Sequence, residues 1–269
     1  IFAQSNPLKQ ARMVLQDLFE PVAAQMFSEA TRLCHENDLV IGHFFHYPLH
    51  SAAGLAGRPY ASVMLVHSAI PSRAITPSGL PALGETMNRV WWCLTRTLLN
   101  RSLKPFADRM RTALGLPPAG DMIADVWTSS ELNLIAVSRV LCAVQDDWGH
   151  QHRICGPLAF LDIATVDQTL DADLEAFFSS GEPPVYVSFG SVMPTDPPLQ
   201  KATIYVLRQA AELASGRRVI QAPSWAACGV EPSDAVHFVA RAPHSKVFGR
   251  CGAVVHHGGA GTTHTALRA

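Results

Sequence analysis

The chain has 269 residues, of which 48% are hydrophobic and 16% are charged, and its formal net charge is -1. This length and hydrophobic share suffice for a sizeable core, which excludes a disordered chain and a small disulfide-held scaffold. The balanced charge lacks the basic excess of nucleic-acid-binding proteins, so we expect no nucleic-acid partner. The six cysteines form no CxxC pair, which is typical of reduced, mostly buried thiols in a cytoplasmic protein.

The first segments of the chain alternate between helix and strand patterns. Apolar residues at spacings of three and four predict helix over 7–36, broken at Pro21, which would begin a second helix. A buried strand over 38–42, a small-residue helix over 51–57 and a strand over 60–66 then form a βαβ unit. Such a unit predicts a parallel sheet with helices on both faces.

A long proline-rich loop follows these strands, at residues 68–84. Long loops after strand ends often shape ligand sites in such folds, so we expect this one to line a site. A helix is predicted over 86–114, ending at Gly115, and a further buried strand over 133–137.

The second half repeats the α/β pattern after a change in composition. Residues 156–184 are rich in turn formers and acids, which predicts a linker between an N-terminal domain, 1–155, and a C-terminal domain, 185–269. The elements predicted in the C-terminal domain are strands over 185–189, 218–221, 236–239 and 253–255, and a helix over 199–213.

The strongest chemical signal is the glycine-rich segment His256–Thr263, between a strand and a predicted helix start. Its glycines let the backbone approach a ligand closely, and a helix capped by Thr262 would aim free N–H groups at an anion such as a diphosphate. His257 and the Thr262 hydroxyl are candidate donors to the same oxygens. A helix-capping turn without a ligand is the alternative.

Two common phosphate-binding loops are excluded in this segment. The dinucleotide motif GxGxxG requires a glycine where the chain has His264, and the motif GxxxxGK[ST] is absent.

Four motifs together resemble those of the inverting, nucleotide-sugar-dependent glycosyltransferases of family one. The segment His256–Thr263 is similar to their donor-site signature, and Pro184–Ser191 to the first strand of their donor domain. Ala242–His244 looks like the bacterial counterpart of their base-contacting loop, and Gly156–Leu158 fits their linker. The resemblance is specific over residues 155–269, whereas the N-terminal part matches mainly in pattern.

This resemblance implies a GT-B fold, with two Rossmann-like parallel-sheet domains that face a cleft, both truncated in this chain. The donor, a UDP- or dTDP-sugar, would bind the C-terminal domain. Arg241 stands where plant-type members stack a tryptophan on the base, so a guanidinium contact is the expected substitute. The donor-binding residues implied by position are Gly190, Ser191, Ala242, His257, Gly259, Ala260, Gly261 and Thr262.

The implied reaction is the transfer of a hexose to a hydroxyl of a lipophilic acceptor such as a sterol, polyketide or lipid. No cofactor and no metal are expected, and the protein would contact a membrane only through its acceptor. Two alternatives remain open: a sugar-nucleotide epimerase of GT-B fold, which would place carboxylates in the cleft, and a nucleotide-sugar-binding protein without activity.

The catalytic base is not identified in this chain. The family uses a histidine near the start of the N-terminal domain, which is expected upstream of Ile1, and an aspartate that orients it. His43 occupies the aspartate position and is a weak candidate for a catalytic role. We therefore expect the chain to be a fragment, inactive by itself.

Three histidines near this position follow the pattern H-x2-H-x3-H, at His43, His46 and His50. They are interpreted as metal ligands, as a lining of the cleft or as packed side chains, with the metal least favoured because no acidic or cysteine motif accompanies them. His67, at the end of the next strand, belongs to the same rim.

Two other pairs have simpler interpretations. Trp91 and Trp92 would point to different faces of a helix, which favours packing over a carbohydrate platform. Adjacent carboxylates diverge, so Asp146 and Asp147 are predicted to form a solvated turn.

Overall fold

The computed structural model shows an α/β protein built from two compact units, Ile1–Leu158 and Ala159–Ala269. Each unit contains one sheet of four parallel strands. The residues that the structure describes are 6–158, 169–190, 196–214, 216–223 and 225–269.

The first sheet has its strands in chain order. All neighbouring strands are parallel, in the order β1-β2-β3-β4. The strands are β1 (Val40–His43), β2 (Tyr60–Met64), β3 (Leu132–Ile135) and β4 (His152–Ile154). The last of these was not predicted, because it is only three residues long.

The helices of the first unit differ from prediction mainly at prolines. Pro21 lies in a 3-10 turn, Glu20–Val22, and the second helix begins only at Ala23. The helix expected over 86–114 is two helices, because Pro105 stands at the start of the second. The α-helices are α1 (Pro7–Met13), α2 (Ala23–Glu36), α3 (Tyr47–Leu55), α4 (Glu85–Ser102) and α5 (Lys104–Ala113), with π-turns at Val14–Phe19 and Ile123–Trp127 and a 3-10 turn at His67–Ala69.

The second sheet reverses its strand order. Its strand order is β7-β6-β5-β8. Strands β6 and β7 are added in turn on one side of β5, and β8 then pairs with the other side of β5. The strands are β5 (Val185–Ser188), β6 (Arg218–Gln221), β7 (Val236–Val239) and β8 (Ala253–His256). The α-helices are α6 (Ala172–Ser179), α7 (Pro197–Leu213), α8 (His244–Val247) and α9 (Ala260–Ala266).

Both faces of the second sheet are covered at β5, β6 and β7, as is usual in a parallel sheet, whereas β8 is partly exposed. Successive residues of one strand enter opposite cores: Val219 packs with one cluster and Ile220 with the other. Tyr186, in β5, is fully buried on the face that α6 covers. Buried apolar side chains therefore support β5, β6 and β7, whereas Val255 of β8 is 48% exposed.

Part of the segment predicted as a linker is helical. Helix α6 buries Leu174 and Phe178 in the second unit, and Glu175 forms a two-bonded ion pair with Arg250. The boundary between the two compact units lies after Leu158, near the start of the predicted linker. Residues 159–168 lie outside the described part of the chain.

The predicted fold class is confirmed as two parallel-sheet α/β units. In the part of the chain that the structure describes, no helix combines the length and apolar character needed to cross a bilayer.

Candidate functional site

The candidate donor site lies where the second sheet reverses its order. Strands β5 and β8 are parallel neighbours, paired from Val185 with Ala253 to Ser188 with His256. Loops that leave such a pair run to opposite sides, which opens a crevice at the carboxyl ends of the strands. The loop after β5 and the glycine-rich turn after β8 both begin at this crevice.

Two glycines make room for one imidazole ring in the crevice. Gly190 has φ of +52°, and a Cβ there would stand 2.8 Å from Cε1 of His257. A Cβ on Gly259 would stand 2.5 Å from Nε2 of the same ring. The Nδ1 atom of His257 is buried and has no hydrogen-bond partner among the described residues. The structure thus brings together three of the predicted donor-site residues.

The helix after the turn begins earlier than predicted. Its N-cap is Gly259 and its first residue is Ala260, so the prediction that Thr262 caps the helix is wrong. Thr262 is instead the third helical residue. The first hydrogen bond inside the helix runs from the Thr263 N–H to the Gly259 carbonyl, which leaves the N–H groups of Ala260, Gly261 and Thr262 free.

The turn itself is held by the first histidine of the pair. Nδ1 of His256 accepts a hydrogen bond of 3.1 Å from the Gly258 N–H, and Gly258 has φ of +84°. A positive φ is strained for other residues, so Gly258 sets the direction in which the chain enters the helix. The Thr262 hydroxyl has no hydrogen-bond partner in the described part of the chain. It remains available as a donor.

A polar cluster that the motifs did not reveal supports the same edge of the sheet. Oε1 of Gln221, at the end of β6, accepts hydrogen bonds from Tyr186, Ser188 and His244, at 3.1, 2.9 and 2.9 Å. Burial lowers the pKa of His244 and raises that of Tyr186. A sequence signal did exist, because Ser188 and Gln221 are polar residues that directly follow apolar residues at the carboxyl ends of two neighbouring strands.

Of the remaining predicted donor residues, one packs beside this cluster and one lies outside the described residues. Ala242 follows β7 and packs, half-buried, against the core that contains Val247 and Phe248. The side chain of Arg241, beside it, is exposed. Ser191 lies outside the described residues.

The histidines of the first unit have separate structural roles. Nδ1 of His46 accepts a hydrogen bond from the Leu49 N–H and thereby caps α3. The ring of His50 packs against the ring of Tyr60, with the two ring centroids 4.9 Å apart. Nδ1 of His43 accepts the Phe45 N–H at 3.3 Å, which leaves the ring proton on Nε2. Burial lowers the pKa of all three histidines, and His46 adds to the effect on His43.

These roles bear on the metal interpretation of the H-x2-H-x3-H pattern. In the described residues, no group of three histidine, cysteine, aspartate or glutamate side chains is placed to hold a metal ion. The capping bond of His46 and the packing of His50 account for two of the three histidines.

Large apolar side chains are exposed where the strands of the first sheet end. Leu65 and Val66 follow β2 with exposed fractions of 40% and 44%. Val140 and Leu141, in the loop after β3, are exposed by 85% and 43%, and Val144 by 55%. The carboxyl edge of the first sheet therefore offers an apolar surface, whereas that of the second offers glycines and free N–H groups.

The sequence of the chain is similar to those of known glycosyltransferases. No model of a protein family matches the chain. It is 30% identical over 236 residues to vancomycin aglycone glucosyltransferase from Amycolatopsis orientalis, in an alignment that covers 81% of this chain and 52% of that protein. The chain thus spans about half the length of this curated relative.

Solved structures give the same fold. The glycotransferase of kitacinnamycin superposes with a TM-score of 0.61 at 19% identity, over 98% of this chain and 62% of that one. A spinosyn rhamnosyltransferase, complexed with thymidine diphosphate, superposes with a TM-score of 0.54 at 17% identity, over 99% and 61%. The homologues and structural neighbours are thus family-one-like glycosyltransferases of GT-B fold, and the resemblance predicted from the motifs is confirmed.

Proposed function

We propose that the chain is part of an inverting glycosyltransferase that transfers a sugar from a nucleoside diphosphate to a hydroxyl of a lipophilic natural product. The observation that carries the proposal is the crevice between β5 and β8, where Gly190, His257 and Gly259 meet beside the free N–H groups of α9. The relative that acts on the vancomycin aglycone and the neighbour complexed with thymidine diphosphate support it.

The chemistry follows from the charge that develops during transfer. The acceptor hydroxyl attacks the anomeric carbon opposite the departing nucleoside diphosphate, so negative charge grows on the leaving phosphate. The N–H groups of Ala260, Gly261 and Thr262 are fixed donors that bind this charge more strongly in the transition state than in the ground state. Loss of one such donor typically costs about 3 kcal/mol, roughly a hundredfold in rate.

His257 positions the turn through the two glycines that enclose its ring. A smaller side chain at this position would leave Gly190 and Gly259 without their common contact. In the proposed complex its imidazole also donates to a phosphate oxygen, since ring N–H groups are good partners for anions.

The apolar residues at the carboxyl edge of the first sheet support a lipophilic acceptor. Leu65 and Val66 are exposed directly after β2, where such folds bind their ligands, and a lipophilic acceptor would cover them. His43, at the end of β1, would present its Nε2 proton rather than a basic nitrogen, so it orients the acceptor and the base lies elsewhere. The unpaired cysteines fit a reaction in the cytoplasm. The proposed reaction uses neither a metal nor a cofactor.

The alternative of a GT-B epimerase is less well supported. It calls for carboxylates at the site, and the described segments 188–190, 221–223, 240–244 and 256–262 contain none. Asp196, in the loop after β5, already accepts the Leu199 N–H as the N-cap of α7.

The donor site is tested by measuring the binding of thymidine diphosphate and uridine diphosphate calorimetrically. We expect His257→Ala to weaken binding about tenfold, as the loss of one charge-assisted hydrogen bond does. The control is His35→Ala, at an exposed histidine of α2. Equal affinities of wild type and H257A would contradict the proposed donor site.

The transfer itself is tested separately on the longer protein of which this chain is proposed to be a part, by NMR of the anomeric configuration of the product formed with a hydroxylated aromatic acceptor. An inverted anomeric centre supports the proposal, and retention contradicts it. The expectation that the chain by itself does not transfer sugar is checked in the same assay.

A further inference from the structure

The first unit contains a groove that the proposed reaction does not use. It has a volume of about 540 Å³ and lies between the segment Pro71–Arg73, one face of α4, and the side chains of Asp121 and Asp147. The α4 residues that line it are Arg89, Trp92, Cys93, Arg96, Thr97 and Asn100. Part of the proline-rich loop thus lines a cavity, as its position in the sequence predicts.

The groove extends toward the amino ends of the strands. A neighbouring cavity of about 360 Å³ continues it, and the residues common to both are Pro71, Arg96, Asp121 and Asp147. The neighbouring cavity is also lined by Ser129 and Ser130, just before β3, and by Gly149 and Gln151, just before β4. This region is therefore opposite the carboxyl edge, where the acceptor is proposed to bind.

Three arginines give the groove its positive charge. Arg89 has neither an ion pair nor a hydrogen bond within the described part of the chain. Arg96 donates from Nε to Asp121 at 3.0 Å, and this bond orients the guanidinium without engaging its two terminal nitrogens. Arg73 lies 3.7 Å from Glu85, with both side chains largely exposed, so this pair contributes little.

The two carboxylates of the groove already have donors of their own. Asp147 lies in an exposed turn, as predicted, and it also accepts the Ser72 hydroxyl at 2.8 Å and the Arg73 N–H at 2.6 Å. Asp121 accepts bonds from Asn100 and from backbone N–H groups besides that from Arg96. Although burial opposes ionisation, these bonds hold the pKa of Asp121 below its usual range. Both carboxylates are therefore ionised in the groove, but neither forms an ion pair with Arg89 in the described part of the chain.

The walls of the groove are fixed before any ligand arrives. The buried Asn88 donates to the Arg73 carbonyl at 2.8 Å and accepts the Thr76 hydroxyl at 2.8 Å. Nε1 of Trp92 donates to the Ile75 carbonyl at 2.7 Å. The loop is thereby attached to α4, and a ligand would not bear the cost of ordering it.

We propose that this groove is a second binding site, for a small molecule that carries a phosphate or carboxylate group. Guanidinium groups bind both oxyanions through paired hydrogen bonds, and Arg89 and Arg96 have unengaged donors for such bonds. The volume suits a metabolite-sized molecule, and Trp92 and the Cys93 side chain provide a less polar wall for its body.

The exposed thiol of Cys93 allows a local test. Cys93 is alkylated with the uncharged reagent iodoacetamide, and the rate of alkylation is measured by peptide mass spectrometry. The measurement is made in the presence of benzyl phosphate, phenylacetate or the uncharged benzyl alcohol. At about four times the Kd, binding should slow the reaction about fivefold. Cys155, exposed outside the groove, should react at an unchanged rate. Comparison of the two anions shows which oxyanion is preferred.

Protection by benzyl alcohol as strong as that by the anions would overturn the proposal, as would the absence of protection by both anions. Arg89→Gln should raise the Kd about tenfold, because the variant loses a charge-assisted pair of bonds. At the same ligand concentration, protection should therefore fall from about fivefold to about 1.4-fold. Arg101→Gln, on the same helix but outside the groove, should leave protection unchanged; equal effects of the two variants would also overturn the proposal. His257→Ala should not alter Cys93 protection, which keeps this test independent of the donor site.

Discussion

The first sheet adds its strands in chain order, from β1 to β4, whereas the second reverses at β5 and places β8 on its other side. The reversal opens a crevice between two adjacent strand ends, and the residues there are glycines around one histidine. The first sheet has no reversal among its described strands, and its carboxyl edge carries histidines and exposed apolar side chains. Strand order thus separates a surface suited to a diphosphate from one suited to an apolar body.

The largest expected effect comes from filling the crevice of the second sheet. Gly190→Val should abolish detectable binding of nucleoside diphosphates, because the new side chain meets the His257 ring at a positive φ. Calorimetric titration measures the change. The control is Gly249→Ala, in the same unit, where a Cβ meets no atom within 4 Å. If G190V binds as the wild type does, the crevice is not the donor site.

A second, smaller effect is expected in the polar cluster beside the crevice. Gln221→Leu deprives Tyr186, Ser188 and His244 of their common acceptor, so the free energy of unfolding should fall by about 2 kcal/mol. Denaturant unfolding measures it, with the exposed Gln209→Leu as control, expected within about 0.5 kcal/mol of wild type. An equal stability of Q221L and wild type would show that the cluster is not a structural support.

The smallest expected effect is a difference between the two units in how far their stability falls at low pH. Burial lowers the pKa of His237 and His244 in the second unit and of five histidines in the first. Those five are His43, His46, His50, His67 and His152. Below the usual histidine pKa of about 6.5, the unfolded chain takes up protons that these neutral rings do not. Stability therefore falls as the pH decreases, and the first unit should lose more of it.

Hydrogen exchange followed by mass spectrometry measures the protection of backbone amides in each unit at pH 7 and at pH 5. The exchange rates are corrected for the intrinsic effect of pH before the two units are compared. Greater loss of protection in the second unit would contradict the assignment of the buried neutral rings.

Local patterns in the sequence were sufficient for the second sheet. Strands β6 and β7 begin and end where their apolar runs predict, because both are short, continuous and buried on two faces. The donor motif was also recognisable, since glycines and histidines next to each other have few structural explanations. The helix start within it was misplaced because a capping threonine is favourable locally, yet the helix is capped three residues earlier, at Gly259.

Features that depend on distant residues could not be predicted in the same way. Gln221 became a common acceptor only when three segments met around it. The exposed turn of Asp147 was predicted correctly, but its bonds to Ser72 and Arg73 were not, because these partners are more than seventy residues away in the chain. The histidine pattern suggested a shared ligand, but β1 and α3 direct two of its members to a helix cap and to a tyrosine.

The bonds that join the proline-rich loop to α4 have a consequence for protein engineering. If the loop alone were exchanged with that of a relative, Asn88 and Trp92 would lose the carbonyls of Arg73 and Ile75. Loop and helix therefore form one exchangeable module, and the boundaries for a chimera lie at Ile70, buried in the core before the loop, and at Leu103, buried after the helix. A chimera cut at these positions carries its own internal partners into the new host.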